Sequence, residues 1–235
     1  MKFHTAVLVG AGGIGSILVE PLTRLLMHHV NGTKKIFVID GDVYEPHNAT
    51  RQLFYPENLG FNKAVATANR LSFAPNLIPI PKYVDADLMH TLMQKINLYA
   101  DDKVLLFIAA VDRHASRKVI IEGLTSYSQN FVLIMPSNEY ETIQTSVYIH
   151  LRGKDLTLHP FKRYPDIATP QDTLPNSCGD QTPSYPQLIA ANSLAAVNAL
   201  LIVNSLLDDK PVPDECAGNI WKFICKPTSQ MLNLS

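Results

Sequence analysis

The chain has 235 residues, a formal net charge of −1, and charged side chains at only 17% of positions. That length suits one α/β domain, and a 46% share of hydrophobic residues provides ample core. The near-zero charge argues against nucleic acid as a partner, since such proteins carry a basic excess that neutralises phosphates. The three cysteines, Cys178, Cys216 and Cys225, match no disulfide framework and include no CxxC pair, so a reducing, cytoplasmic setting without structural zinc is expected.

In chain order, the apolar run Thr5–Val9 reads as a buried strand and not as part of a signal peptide. A helix follows over Gly13–Val30, with Ile14, Ile17, Leu18, Leu22, Leu25 and Leu26 on one face and Pro21 as an expected kink. Lys35–Ile39 is a second strand, Asn62–Phe73 a helix, Leu77–Val84 a strand and Asp87–Leu98 a helix. Val104–Val111 is continuously apolar, as expected of a central parallel strand covered on both faces. Arg113–Tyr127 reads as helix and Phe131–Met135 as strand; Ile143–Ile149 alternates as a half-exposed strand does. This β-α-β-α order predicts a Rossmann-like, doubly wound, mostly parallel sheet, which binds ligands at the carboxyl ends of its strands.

Composition changes at residue 152. Prolines at 160, 165, 170, 175 and 183 stand among polar and basic residues, which predicts a long loop over 152–185. Gln187–Leu207 then carries no charge and is long enough to span a membrane. Asn192, Asn198 and Asn204 recur through it, and unpartnered amides are costly in lipid, so a helix buried in protein is expected and no membrane. Asp208–Gly218 reads as a link and Asn219–Cys225 as the last strand, so that 186–235 completes the same domain.

Chemistry concentrates at the strand ends. Gly10-Ala-Gly12-Gly13-Ile-Gly15 joins the first strand to the first helix, where glycines let a phosphate approach the backbone and the helix N-terminus offers free N–H groups. Asp40 ends the second strand, the usual place for a ribose-binding acid. Asp40-Gly-Asp42 then runs through Asn48 to Arg51-Gln52, with Lys63 twelve residues after Arg51, and Asp112 ends the apolar strand.

This pattern, D-x-D-x(5)-N-x-x-R-Q followed by lysine, resembles the ThiF/MoeB/HesA and ubiquitin-activating superfamily over about the first 135 residues. The resemblance implies an adenylation core over 1–151, with 152–185 as a crossover loop, that uses ATP and Mg²⁺ to activate the C-terminal carboxylate of a ubiquitin-like or sulfur-carrier-type protein ending in glycine. Arg51 would form a fork on phosphate oxygens, Lys63 would act as a point charge, and Asp112 would hold the metal. Asn48 and Gln52 would orient phosphate or the loop through their amides. Cys178, in the loop, is the expected thioester-forming nucleophile, with an incidental cysteine as the alternative. A homodimer is also implied, with the uncharged helix as its contact.

Two family features are expected to be absent: the paired CxxC zinc site and, since the first strand begins by about residue 5, an N-terminal arm whose arginine completes a partner's site. Arg113, Arg117 or the loop cations are candidate substitutes, while His47 and His114 read as structural or solvated. An NAD-dependent oxidoreductase would explain the glycine loop and Asp40 but leave Asn48, Arg51, Lys63 and Asp112 without purpose. A tRNA-modifying member of the superfamily would call for a basic patch. A non-catalytic scaffold would show gaps in the polar set.

Overall fold

The computed structural model describes residues 1–53, 55–96, 103–174 and 188–221, and the backbone of two short strands at Ile224–Pro227 and Met231–Leu232. The elements are β1 (Phe3–Val9), α1 (Gly13–His28), β2 (Ile36–Ile39), α2 (Lys63–Arg70), β3 (Leu77–Ile80), α3 (Ala86–Ile96), β4 (Val104–Ala109), α4 (His114–Tyr127), β5 (Phe131–Asn138) and β6 (Thr142–Leu151). There follow β7 (Lys154–Asp155), α5 (Pro160–Arg163), α6 (Pro165–Ala168), α7 (Ile189–Leu207), β8 (Val212–Pro213), β9 (Glu215–Asn219), β10 (Ile224–Pro227) and β11 (Met231–Leu232).

Nine strands form one sheet, in the order β10-β9-β6-β5-β4-β1-β2-β3, with β7 beside β6. β3, β2, β1, β4 and β5 run parallel, and β6, β9 and β10 extend the sheet antiparallel. Strand order reverses between β1 and β4, the switch point at which such sheets open a crevice. One core layer packs Leu18, Leu22 and Leu26 of α1 and Ala195, Ala199 and Val203 of α7 on the sheet; the opposite layer holds Leu92 and Met93 of α3, Ile120 and Leu124 of α4, and Ile167 of α6. Pro21 lies within α1 without ending it, on the helix's exposed side.

The C-terminal third departs from expectation in detail. β6 is buried on both faces from Ser146 to Ile149, where alternation predicted a half-exposed strand. The reason lies in distant chain: α7 covers one face, and Pro160, Arg163 and Tyr164 lie over Tyr148 on the other. The described part of the stretch expected as a loop thus contains β7, α5 and α6. Arg163 of α5 donates to Asp214 and Glu215, and Tyr164 Oη, between α5 and α6, to Glu215, so this segment is tied to the start of β9. The strand expected at Asn219–Cys225 is instead two strands, β9 and β10, joined by a turn at Ile220–Trp221. β9 reads Glu-Cys-Ala-Gly-Asn, without a β-branched or aromatic residue; its pairing with β6 makes it a strand. α7 is long and apolar enough to cross a membrane by length and composition, and half of it is buried against α1, β5 and β6. Ile189, Val197 and Leu201 point outward.

At the switch point the backbone is too close for side chains. Gly10 has φ +94°, and a Cβ there would overlap the Ala110 carbonyl; a Cβ on Gly15 would overlap the Gly10 carbonyl. Gly15→Ala is therefore expected to destabilise the fold by about 3 kcal/mol, lowering the melting temperature by roughly 6–12 °C. Thermal unfolding followed by circular dichroism checks this, and an unchanged Tm would contradict the packing described.

Candidate functional site

An open cleft of about 1170 Å³ lies across the carboxyl ends of β1, β2 and β4. Gly10, Gly12, Gly13, Asp40, Asp42, Asn48, Arg51, Gln52, Lys63 and Asp112 all line it. Gly15 does not; it packs one turn deeper, against the Gly10 carbonyl. Cys178 lies outside the described residues.

The glycine loop ends at Gly12, the N-cap of α1, where among the described residues no side chain caps the helix. The first helical N–H groups are thus left for something else to satisfy. A Cβ on Gly12 would meet only Gln52 Nε2, at 3.9 Å, so the loop's face toward the cleft is open.

The wall beside β2 is a network of charges. Asp40 accepts from the Ala11 N–H (2.6 Å) and the Asp42 N–H (2.8 Å), which folds its carboxylate back onto the glycine loop. Burial raises its pKa to about 6, against the opposing pull of nearby Lys63 and those two N–H groups. Lys63, at the start of α2, is only 5% exposed, unusual for lysine, and its Nζ lies 3.1 Å from Asp42 Oδ2. Two residues that sequence reasoning passed over hold this pair in place. Asn62 caps α2 and donates through Nδ2 to the carbonyls of Asp40 (2.9 Å) and Asp42 (3.0 Å). Tyr83 donates to Asp42 Oδ1 at 2.5 Å, and its ring occupies the space over Gly41, where a Cβ would come as close as 2.5 Å. Asn62 carries a local signal, since asparagine before a helix is a common N-cap. Tyr83 carries none, because it meets Asp42 only through the sheet.

Asn48 is buried in the 3₁₀ turn Pro46–Thr50, and its Oδ1 accepts from the Glu45 N–H at 3.0 Å. Its carbonyl accepts from the N–H groups of Arg51 (3.1 Å) and Gln52 (2.9 Å), so Asn48 shapes the turn that presents both residues. Gln52 is 6% exposed, and its Oε1 has no hydrogen-bond partner among the described residues. Among those residues no hydrogen bond or ion pair holds the Arg51 guanidinium.

On the far lip, Asp112 follows β4 and is exposed to the cleft. It does not cap α4. Asp172, from the crossover segment, does so, accepting from the N–H groups of His114 and Ala115 at 2.8 Å each. Arg113 Nη1 donates to the Thr173 carbonyl (2.9 Å), so this cation is tied to the crossover segment. Arg117 donates through Nε and Nη2 to the Val111 carbonyl (3.2 and 3.0 Å), and burial lowers its pKa, with Asp112 pulling the other way.

The residues fit a nucleoside triphosphate on observations of the cleft itself: among the described residues, a helix end that no side chain caps, an arginine whose guanidinium is unengaged, and a lysine buried at the wall. Among the described residues no group of three or more His, Cys, Asp or Glu could hold a metal by itself. Asp112 is a single carboxylate, which suits Mg²⁺, an ion that keeps several waters and takes one or two carboxylates together with substrate phosphates.

The strand order 3-2-1-4-5, the glycine turn into α1 and a cleft at the switch point define a Rossmann-like α/β domain. More narrowly, the chain belongs to the ThiF family, whose pattern matches residues 1–178. It is 30% identical over 120 residues to ubiquitin-like modifier-activating enzyme 5 of Drosophila mojavensis, an alignment covering 48% of this chain and 29% of that protein. It is 34% identical over 73 residues to the Drosophila melanogaster enzyme of that name, covering 31% and 17%. The matches span less than a third of these relatives' length. In solved structures the chain resembles PaaA (TM-score 0.64, 16% identity, 97% of this chain and 64% of that one) and Escherichia coli MccB crystallised with ATP (TM-score 0.61, 17% identity, 100% and 65%). At those identities the likeness is one of fold.

The raised pKa of Asp40 is directly testable. A ¹³C-NMR titration of the Asp40 carboxyl should give a midpoint near pH 6, and Lys63→Met should move it higher by removing the cation that favours ionisation. Because the folded value lies above the unfolded one, this group's contribution to stability is largest below the unfolded value and falls as pH rises through about 6. A midpoint near 4 would show that Asp40 is solvated.

Proposed function

We infer that the chain catalyses ATP-dependent adenylation of the C-terminal carboxylate of a small ubiquitin-like protein. One observation carries the reading. Arg51, whose guanidinium has no hydrogen bond or ion pair among the described residues, the Asp42-bound Lys63 and the cleft-facing Asp112 share one cleft with a helix N-terminus that no described side chain caps. Those are the groups that an attack on a triphosphate requires, and membership of the ThiF family and likeness to a ubiquitin-like modifier-activating enzyme support it.

The chemistry follows from the charges. An oxygen of the partner's carboxylate attacks the α-phosphorus and forms a new P–O bond. The bond from the α-phosphorus to the bridging oxygen breaks, and pyrophosphate leaves with its electron pair. Negative charge grows on the non-bridging oxygens and on the leaving group, so positioning and charge neutralisation dominate the barrier. Arg51 and Lys63 supply fixed positive charge, and the N–H groups of Gly13 and Ile14 supply the helix dipole's positive end. Asp40 would accept from the ribose hydroxyls. Asp112 would hold Mg²⁺ with phosphate oxygens, where the ion would neutralise charge on the leaving group.

ATP–pyrophosphate exchange in the presence of the partner protein tests the reading. Asp112→Ala should reduce exchange by at least about a hundredfold with circular dichroism unchanged. Near-normal exchange would refute the role assigned to Asp112, and binding of NAD with no response to ATP would refute the reading as a whole. The step after adenylation is assigned on the resemblance alone: the Cys178 thiolate attacks the acyl carbon of the adenylate, a C–S bond forms, the acyl C–O bond to the phosphate breaks, and AMP leaves with its electron pair. A reductant-sensitive adduct on a non-reducing gel should appear with ATP and partner and vanish in Cys178→Ala, while exchange continues; an adduct that persists would move the role to Cys216 or Cys225.

A further inference from the structure

The cleft wall depends on a residue from the far end of the chain. Asn192 lies in the first turn of α7, beyond residues 1–178 that the family pattern matches, and it is fully buried. Its Nδ2 donates to the Arg51 carbonyl at 2.9 Å. The same amide rests against Gly13, where a Cβ would come within 2.6 Å of Nδ2 and 2.8 Å of Oδ1. One side chain thus touches both the glycine end of α1 and the backbone of the arginine that faces the cleft.

The other restraints on this stretch sharpen the point. The Arg51 and Gln52 N–H groups donate to Asn48, and the Leu53 N–H donates to Ser16 Oγ (3.0 Å), itself buried in α1. Asn192 holds the remaining side, the Arg51 carbonyl. With no ion pair on the guanidinium among the described residues, the backbone decides where that side chain reaches. The other asparagines of α7 are engaged elsewhere: Asn198 donates to Thr145 Oγ1 on β6 (3.2 Å), and Asn204 to Asp208 (3.2 Å). Asn192 lies on a helix whose Ala191, Ala195 and Ala199 belong to the apolar core, and its Oδ1 has no hydrogen-bond partner among the described residues. A half-satisfied amide is an expensive way to fill an apolar helix contact. What explains it is the group its donor holds.

We propose that Asn192 is a positioning residue for nucleotide binding: by holding the Arg51 carbonyl it sets the reach of the guanidinium and couples α7 to the phosphate-facing wall. The proposal takes its ligand, ATP, from the adenylation reading, and its geometry stands apart from it.

Asn192→Leu keeps the shape of asparagine without its donor. ATP is titrated into the wild type, Asn192→Leu, Arg51→Ala and the double variant, with urea unfolding of each as the control for folding. Asn192→Leu is expected to weaken ATP roughly tenfold, the scale of one lost hydrogen bond, and to add no loss when Arg51 is already alanine. Equal losses in both backgrounds, or none in either, overturn the proposal. In pyrophosphate exchange the same variant should raise KM for ATP more than it lowers kcat. A ligand-free arm separates this proposal from the functional reading. Limited trypsin digestion read by mass spectrometry should show the Arg51–Gln52 bond cut at least several-fold faster in Asn192→Leu, with other sites unchanged. A wild type that binds no ATP overturns the adenylation reading and leaves this arm to decide; unchanged cleavage there overturns the positioning role. Should Asn192→Leu fail to fold, Asn192→Ala carries the same arms.

Discussion

Backbone meets backbone where β1 ends. Gly10 turns with φ +94° against the Ala110 carbonyl, and Gly15 lies against the carbonyl of Gly10, with no room for a Cβ at either place. This contact brings the ends of β1 and β4 together at the point where strand order reverses, and it sets the first turn of α1 on the cleft floor. Gly12 and Gly13 then face the cleft from an uncapped helix end. A concentration of unsatisfied N–H groups is costly in a dry interior and useful beside a phosphate. The rest of the site is arranged around that partial positive charge.

The polar residues of the β2 wall act mainly on one another. Asp42 joins Lys63 to Tyr83, Asn62 joins the Asp40–Asp42 turn to α2, and Asp40 closes onto the glycine loop. Each is restrained by at least one neighbour, which lowers the entropy lost when a ligand arrives. Arg51 differs in that, among the described residues, only its backbone is held. A buried, paired lysine thus stands fixed at the wall, while the Arg51 guanidinium, without a partner among the described residues, extends from an anchored backbone.

The C-terminal third is structural support for this arrangement. α7 lies on one face of β5 and β6, while α5 and α6 lie on the other and are tied to β9 through Arg163 and Tyr164. From this region Asp172 caps α4, which leaves Asp112 free to face the cleft, and Asn192 reaches the Arg51 carbonyl. Both contacts join residues more than fifty positions apart, and both act on a cleft residue through its surroundings.

The order of strands and helices through β5, the glycine turn and the polar set at the strand ends were all legible in the sequence. Each depends on local chemistry: apolar runs of strand or helix length, glycines at a strand-to-helix turn, and acids, amides and cations at fixed short spacings. Pairing in the antiparallel extension was not legible, because Glu215–Asn219 has no intrinsic preference for strand and becomes one only against β6. The double burial of β6 was hidden for a similar reason, since the cover on its second face comes from chain that reads as loop. Tyr83, Asp172 and Asn192 had no signal of their own, for a tyrosine, an aspartate and an asparagine are unremarkable until the fold sets an Asp42 carboxylate, a bare helix end or an Arg51 carbonyl beside them. The sequence alone determined which chemical groups gather at the strand ends, since short-range spacing encodes that; the tertiary structure alone decided which of them are held and which are left free, since that depends on contacts between residues far apart in the chain.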